Sequence, residues 1–372
     1  MKHLKCGYTT GTCAAAAAGA AAQMLCTGKW PETFTVMTPK GVPVTVKILE
    51  NHTENGFARC AVRKYSGDDP DITNGVLVYA DVTLNTSANI VIDGGKGIGR
   101  VTHPGLWQKV GEAAINEVPR KMIYSAVSGI FARHGEKAGA SVIISIPAGV
   151  ELAEKTFNPR LGIKGGISVL GTSGIVEPMS DKAFVDTIRA ELRYRKENDF
   201  NYIISVPGNS GADFVKEKFH IDPDFAVKCG NFVGETIDCC AGLGFKGLLL
   251  AGHVGKFVKL AAGIMNTHSR NADGRMEILT AHAAVCGADT VTLQRLMDCI
   301  TTDEALDILN EKKLMGTVME RVTNRAGFYL NKRAGGELPV GAVLFSGKYG
   351  MLGMTGQAPA LLDFIDQEAD CN

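Results

Sequence analysis

The sequence predicts a mixed α/β chain of two domains: an N-terminal α+β domain with a mostly antiparallel sheet over residues 1–195, and a C-terminal domain with a Rossmann-like parallel sheet over residues 196–372. Its 372 residues exceed the size at which a single hydrophobic core usually stops growing. The first half carries β-like runs that alternate with a period of two. From about Asn201, short apolar strands lead through glycine-containing turns into helices, the repeating unit of a doubly wound sheet. We expect the boundary between about Lys182 and Asn201, although the segment after Pro339 could return to the first domain.

The composition indicates a globular protein without a polyanionic partner. Hydrophobic residues make up 45% of the chain and charged residues 21%, enough apolar material for sizeable cores. Basic and acidic side chains number 39 each, which argues against a protein that binds nucleic acid by neutralising many phosphates. Any anionic ligand must therefore meet a local cluster of cations. The 10 cysteines are scattered, as expected of reduced thiols, and they lack the paired spacing of a structural zinc site.

No segment predicts a membrane span, and we expect the protein to lie in the cytoplasm. Lys2 and Lys5 precede alanine runs in a rough imitation of a signal peptide. The stretch Thr9–Thr12 interrupts that pattern, and alanine is only weakly apolar. No other stretch approaches the ~20 apolar residues that cross a bilayer.

An alanine-rich helix opens the first domain, from about Cys13 to Leu25, with Thr12 as its expected cap and Gly28 near its end. The small side chains favour tight packing in the core, while the backbone N–H groups after Gly11 could hold an anion. The elements predicted next are strands at Phe34–Met37, Val42–Leu49, Phe57–Tyr65, Val76–Leu84 and Asn89–Ile92, a helix at about Val118–His134 and a strand at Ser141–Ile146.

Two strand-to-helix turns of the second domain are the candidate cofactor loops. Tyr202–Val206 leads into Pro207–Gly211, and Gly247–Ala251 leads into Gly252–Lys256. Open parallel sheets bind ligands at the carboxyl ends of their strands, where helix N-termini point at the site. The candidate cofactor-binding residues are Gly208, Asn209, Ser210, Gly211, Gly252, Gly255 and Lys256. Neither turn matches a complete nucleotide-binding fingerprint, so the alternative is that these glycines serve only the turn geometry.

Two glycine-rich segments of the first domain, Asp93–Arg100 and Asn158–Ile167, hold separated cations among flexible backbone. The candidate substrate-binding residues are Lys96, Arg100, Arg160 and Lys164. Such cations suit carboxylate recognition, an arginine by a bidentate fork and a lysine as a point charge. A phosphate loop is a second interpretation of Asp93–Arg100, although its residue order fits neither standard fingerprint. Solvated surface charge is the alternative for all four side chains.

The turn Gly67–Asp71 gathers three carboxylates, which could act as a general acid or base, bind a hard cation, or form only a solvated turn. His253, His268 and His282 lack the spacing of metal ligands, so at most one is expected in an active site. We therefore expect no protein-bound metal.

Several motifs occur in the order that is typical of one family. The chain resembles the CbiD family, the cobalt-precorrin-5B C1-methyltransferases, over most of its length. The motifs that carry the resemblance are Gly7–Ala14, Gly67–Asp71, Gly94–Leu106, Asn158–Gly174 with Ile175–Pro178, and Gly252–Lys256 continuing to Thr267–Ser269. The last hundred or so residues carry a less distinctive signal.

The resemblance implies an S-adenosylmethionine-dependent C-methyltransferase that converts cobalt-precorrin-5B to cobalt-precorrin-6A in anaerobic cobalamin biosynthesis. Cobalt then belongs to the substrate, and the expected partner is this small-molecule corrinoid, with neither nucleic acid nor membrane. The macrocycle is a wide apolar plate with carboxylate arms, which suits the separated cations of the first domain. Methyl transfer needs no protein nucleophile, but a base could take up the lost proton, and Asp69 and His253 are the candidate catalytic residues.

Two other functions remain open on the sequence alone. A small-molecule kinase would explain glycine loops, but no Walker-type loop with metal-holding acids is found. A non-catalytic corrinoid carrier would use the same cations without binding a methyl donor. The sequence does not specify the oligomeric state.

Overall fold

The computed structural model describes residues 4–54 and 56–371, which form two compact units, residues 1–181 and 182–372. Each unit mixes helices with a sheet, so the chain is of the mixed α/β class. The sequence-based boundary at residues 195 and 196 falls inside a helix, Asp181–Glu197. Ile188 and Leu192 of that helix are buried in the core of the second unit, and for this reason the division lies at the first residue of the helix.

The first unit is built on a six-stranded sheet and several two-stranded pairings. Its strands are β1 (Gly7–Tyr8), β2 (Thr33–Met37), β3 (Pro43–Glu54), β4 (Phe57–Arg63), β5 (Leu77–Asn85), β6 (Ile90–Gly94), β7 (Gly97–Ile98), β8 (Arg100–Val101), β9 (Gly139–Ser145), β10 (Ile163–Lys164), β11 (Gly166–Ile167) and β12 (Ile175–Val176). The large sheet has the order β2-β3-β4-β5-β9-β6, and its neighbours are antiparallel except for β6 and β9.

Helices α1 (Thr10–Thr27) and α2 (Glu117–His134) pack together, and α1 also lies against β4 and β5; a short helix, α3 (Gly149–Leu152), follows β9. The alanines of α1 are fully buried, as expected from their small side chains. The predicted cap was wrong, since Thr9 caps α1 by accepting a hydrogen bond from Thr12 N at 3.2 Å. The predicted anion site was also wrong, because the N–H groups after Gly11 have partners within the chain: Thr12 N donates to Thr9 Oγ1 and Cys13 N to the Thr9 carbonyl.

The second unit is built on a five-stranded mixed sheet. Its strands are β13 (Tyr202–Val206), β14 (Ala226–Lys228), β15 (Gly247–His253), β16 (Val340–Ser346) and β17 (Gly350–Met354). Its helices are α4 (Asp181–Glu197), α5 (Asn209–Phe219), α6 (Val233–Gly242), α7 (Val254–Phe257), α8 (Arg275–Val285), α9 (Thr290–Met297), α10 (Thr302–Glu311), α11 (Met315–Arg333) and α12 (Ala358–Cys371). The strand order is β14-β13-β15-β16-β17, in which the first four strands are parallel.

The expectation of a wholly parallel second sheet was wrong at one edge, where β17 returns antiparallel to β16 through a tight turn. The segment after Pro339 contributes β16 and β17 to this sheet and therefore lies in the second unit. Helices α5 and α12 pack on one face of the sheet, while α6, α8, α10 and α11 belong to the larger core on the other face. Within the described parts of the chain, no helix has the length and apolar character needed to cross a membrane.

Candidate functional site

A cavity of about 440 Å³ opens at the carboxyl ends of β13 and β15. The chain leaves β13 toward α5 on one face of the sheet and leaves β15 toward α7 on the other. Such a reversal at neighbouring strands creates a crevice in which open sheets bind ligands. The lining residues are Pro207, Gly208, Ser210, Gly211, His253, Gly255, Lys256, Arg275, Thr301, Thr302 and Asp303.

The turn after β13 forms one wall of the cavity. A Cβ atom at Gly208 would meet no protein atom within 4 Å, so this backbone borders open space. Gly211 has a different role. A Cβ atom there would lie 2.9 Å from the Val206 Cβ, and because glycine has no side chain, α5 can pack closely on β13. Asn209 is exposed outside the cavity lining, and its Oδ1 accepts a hydrogen bond from Lys228 Nζ at 2.8 Å.

The turn after β15 begins two residues later than predicted, because Gly252 and His253 still belong to the strand. Gly252 does not line the cavity. A Cβ atom there would lie 2.4 Å from Phe257 Cε1, so the glycine is needed for the close packing of that buried ring. Gly255 and Lys256 lie at the cavity wall.

His253 contributes a ring whose hydrogen bonding is defined by the backbone. Its Nδ1 accepts a hydrogen bond from Gly255 N at 3.1 Å, and the ring lies edge-on to Phe345 at 5.7 Å between centroids. Because Nδ1 is the acceptor, we assign the proton of the neutral ring to Nε2. In this tautomer neither ring nitrogen is a free acceptor, which argues against the predicted role of His253 as a base.

Charged groups of both signs line the cavity. Burial lowers the pKa of Lys256 below its ordinary value, while the nearby Cys229 thiol acts in the opposite direction. Arg275 enters from the start of α8, and Asp303 from the first turn of α10 accepts a hydrogen bond from Ser346 Oγ at 3.1 Å. The cavity can therefore pair with a ligand that carries both an anionic and a cationic group.

Sequence reasoning missed four of the lining residues because they come from helices that are remote along the chain. These residues are Arg275, Thr301, Thr302 and Asp303. One signal was available: Thr301 and Glu304 form a capping box, which marks the start of α10. No local pattern places that helix beside the turns that follow β13 and β15.

The glycine-rich segments of the first unit pair with each other. Strand β7 is parallel to β11, and β8 is antiparallel to β10. Within Asp93–Arg100, a Cβ atom at Gly97 would lie 1.8 Å from the Ile146 carbonyl oxygen, and one at Gly99 would lie 2.3 Å from Ile163 Cγ2. These glycines therefore allow close backbone packing, and the phosphate-loop interpretation is not needed to explain them.

The four predicted substrate cations differ in their surroundings. Arg100 donates to both carboxylate oxygens of Asp93, at 2.7 and 2.9 Å, and to the Gly94 carbonyl. Although partial burial raises the pKa of Asp93, the hydrogen bonds from Arg100 hold it below its ordinary value. Lys164 lies directly opposite Arg100 in the β8–β10 pairing and is exposed. Lys96 is also exposed, and Arg160 lies half-buried on the turn Pro159–Leu161.

The three carboxylates of the predicted acidic turn contact different partners. Asp68 Oδ2 accepts from Lys5 N at 2.7 Å, and Asp69 Oδ2 accepts from Met179 N at 3.1 Å. Asp71 pairs with the buried Lys64 ammonium. Each carboxylate thus ties a separate segment to the turn. In the described portion of the chain, no group of three metal-ligating side chains is found.

The chain is similar to family models, curated proteins and a solved structure that are named for CbiD or for its methyltransferase activity. The family model described as CbiD matches residues 1–178, and the model for the CbiD C-terminal domain matches residues 266–356. The cobalt-precorrin-5B C(1)-methyltransferase of Ruminiclostridium cellulolyticum is 48% identical over 93% of this chain and 90% of that protein. The protein of the same name from Alkaliphilus metalliredigens is 41% identical over 99% of this chain and 96% of its own length. A crystal structure of the cobalamin biosynthesis protein (cbiD) from Archaeoglobus fulgidus aligns with 32% identity and a TM-score of 0.40, covering 73% of this chain and 84% of that one.

Proposed function

This chain belongs to the CbiD family, and from that premise we propose that it transfers a methyl group from S-adenosylmethionine to C1 of cobalt-precorrin-5B, giving cobalt-precorrin-6A. The observation that carries this proposal is the similarity, over almost the whole chain, to cobalt-precorrin-5B C(1)-methyltransferases. Both the first unit and the second unit lie within the matched length, so the two units are expected to share one activity.

The cavity of the second unit is the proposed donor site. Its volume lies within the roughly 300–1,000 Å³ of small-molecule pockets. S-adenosylmethionine carries a carboxylate, an ammonium group and a sulfonium, and the lining offers Lys256 and Arg275 for the anion and Asp303 for a cation. Open backbone at Gly208 lets a ligand approach the start of α5, where the N–H groups and the helix dipole favour negative charge. The residues present therefore fit the donor.

The first unit is the proposed site of corrinoid recognition. Lys96 and Lys164 lie in the two glycine-rich segments, and both side chains are exposed. Each can therefore pair with a carboxylate arm of the macrocycle. The loop beyond β8 carries Trp107, which is 57% exposed and offers apolar surface to a macrocycle. This loop is held in place by Thr102 N, which donates to the Gly162 carbonyl at 2.8 Å. Arg100 is assigned instead to holding Asp93.

The chemistry that the bound donor supplies is an electrophilic methyl group. The protein must hold the ring carbon in line with that methyl group and exclude water, which places most of catalysis in positioning. For uptake of the proton lost from the macrocycle, Asp69 is the better candidate, because a carboxylate has acceptor capacity beyond the one hydrogen bond from Met179. His253 is expected to donate a hydrogen bond through Nε2.

An anaerobic assay of S-adenosylhomocysteine release separates this function from the alternatives. We expect release only when S-adenosylmethionine and cobalt-precorrin-5B are both present, in equal amount to the corrinoid consumed. A corrinoid carrier would bind the substrate without any release, and a kinase would require ATP. Either of those results would contradict the proposed activity.

Substrate recognition by the first unit leads to a prediction on affinity. Lys164→Ala and Arg160→Ala should each weaken corrinoid binding by roughly tenfold to a hundredfold, the effect of losing one charge-assisted contact of about 1.5–3 kcal/mol. Arg160→Lys should recover only part of the loss, because an ammonium cannot form the two-pronged contact. Titration calorimetry with cobyrinic acid, a stable corrinoid with free carboxylate arms, measures the affinities at fixed salt.

The exposed Lys29 of the first unit provides the matched control, and Lys29→Ala should leave the affinity unchanged. Binding of S-adenosylmethionine should be unaffected in all of these variants. If Lys164→Ala and Arg160→Ala bind the corrinoid as well as the original protein does, their charges are solvated surface and the substrate lies elsewhere.

A further inference from the structure

Arg275 is held in one orientation at the cavity wall. Its Nε donates to Asp273 Oδ1 at 2.6 Å and its Nη2 to Asp273 Oδ2 at 2.9 Å. Both donors on one edge of the guanidinium are thereby used by a single carboxylate. Among the described residues Nη1 has no acceptor, and Arg275 lines the cavity. A planar donor group that is fixed on one edge is well prepared to bind an anion with the other.

A buried lysine holds the segment that carries this pair. The side chain of Lys259 is 2% exposed, and its Nζ donates to the carbonyls of Thr267 at 3.1 Å and Ala272 at 2.8 Å. The same Nζ lies 3.9 Å from Asp273 Oδ1. A buried ammonium is costly unless its donors are satisfied, and here they are met by the loop that leads into α8.

The wall also includes Lys256, which carries a second cation on the turn after β15, and Asp303, which carries an acid on α10. Among the lining side chains, the cations Lys256 and Arg275 outnumber the one carboxylate, Asp303. The excess of positive charge favours an anionic group beside Arg275.

We propose that Arg275 binds the amino-acid carboxylate of the methyl donor, and that Asp273 and Lys259 are positioning residues that fix its guanidinium. This inference rests on the proposed function, since it takes the cavity as the donor site. It assigns the end of the ligand that carries the amino acid to the start of α8 and leaves the adenosine end to the rest of the lining. None of the three residues is in a motif that sequence reasoning identified as a ligand loop.

The test compares two ligands that differ by one carboxylate. S-adenosylmethionine and its decarboxylated analogue share the adenosine, the sulfonium and the amine. In titration calorimetry, Arg275→Ala should weaken binding of S-adenosylmethionine by roughly tenfold to a hundredfold and leave binding of the decarboxylated analogue unchanged. Equal weakening of both ligands, or of neither, would overturn the assignment.

Two variants test the positioning residues through the ratio of the affinities for S-adenosylmethionine and its decarboxylated analogue. Asp273→Asn and Lys259→Met should reduce the preference for the carboxylate-bearing ligand, whereas a merely structural role would weaken both ligands alike. Asp273→Asn keeps the shape of the side chain and serves if Lys259→Met does not fold. Arg295→Ala is the matched control, because Arg295 forms a similar two-pronged pair with Glu311 outside the cavity.

The outcome also distinguishes this inference from the proposed function. If the unaltered protein binds S-adenosylmethionine and Arg275→Ala leaves that affinity unchanged, the inference on Arg275 fails while the proposed methyltransferase activity stands. If the unaltered protein binds neither ligand in the presence or absence of a corrinoid, the donor assignment itself fails and the inference with it.

Discussion

Gly208→Val is expected to lower the affinity for S-adenosylmethionine by about a hundredfold or more, equivalent to at least about 2.7 kcal/mol, without lowering the melting temperature. The backbone at Gly208 is extended, with φ 178°, a value open to any residue, and no protein atom lies within 4 Å of the Cβ position. The valine side chain would therefore fit the fold but occupy space that the ligand needs. Calorimetric titration with the donor and a thermal melt measure the two quantities.

Two other glycines provide controls for this experiment. Gly316→Val also adds a side chain in open space of the second unit, away from the cavity lining, and should leave donor affinity unchanged. Gly252→Val should instead lower the melting temperature, because its Cβ would lie 2.4 Å from Phe257 Cε1 and overpacking a core typically costs about 1–3 kcal/mol. Unchanged donor affinity in folded Gly208→Val would remove the donor from this cavity.

Asp71→Asn should produce the largest loss of stability, about 3–5 kcal/mol in the first unit. Lys64 is 3% exposed, and its ammonium contacts Asp71, Ser66 Oγ at 2.9 Å and Thr73 Oγ1 at 2.7 Å. The substitution leaves this buried charge without its counterion. The transition of the first unit in a calorimetric melt should fall by about 10 °C, at roughly 2–4 °C per kcal/mol for a unit of this size.

A double variant distinguishes the loss of stability that comes from an unpaired charge from one that comes from general disruption of the turn. Lys64→Met combined with Asp71→Leu removes both charges and should recover most of the loss, since apolar replacements of a buried pair are often well tolerated. Glu117→Gln, which breaks the exposed pair with Lys121, should cost no more than about 0.5 kcal/mol. A melting temperature for Asp71→Asn within error of the original would contradict a structural role for this pair.

The same ion pair predicts a direction of pH dependence. Burial alone would raise the pKa of Asp71, but the Lys64 charge and the hydrogen bonds from Lys64 and Thr73 outweigh it, so the pKa lies below its ordinary value. A carboxyl group with a lowered folded-state pKa stabilises the protein above its unfolded pKa of about 3.9. That stabilisation is lost as the pH falls through the folded-state value, and the double variant should lack this component.

Local patterns predicted much of the secondary structure. Alternation of apolar residues located β2 to β6, and the strand Tyr202–Val206 has the bounds predicted for it. The start of α1 lies earlier than predicted because Thr9, and not Thr12, is the cap, and the carbonyls of the distant Gly174 and Leu170 accept hydrogen bonds from Thr9 N and Gly11 N. The direction of β17 depends on a tight turn after Ser346, which favours a return along the neighbouring strand.

Only part of the candidate site could be predicted from the sequence. Gly208 and Lys256 could be identified from their position after apolar strands, since the carboxyl ends of parallel strands meet at one edge. Gly252 has the same local pattern but packs against Phe257, a distinction that only three-dimensional contacts reveal. Arg275 and Asp303 reach the cavity from helices whose placement depends on the packing of the core.

The most direct measurement follows the methyl group itself. Incubation with cobalt-precorrin-5B and S-adenosylmethionine carrying a ¹³C-labelled methyl group, under anaerobic conditions, should give a product with one enriched methyl carbon attached to ring carbon C1 in its NMR spectrum. An unlabelled product, or enrichment at a different ring position, would contradict the account.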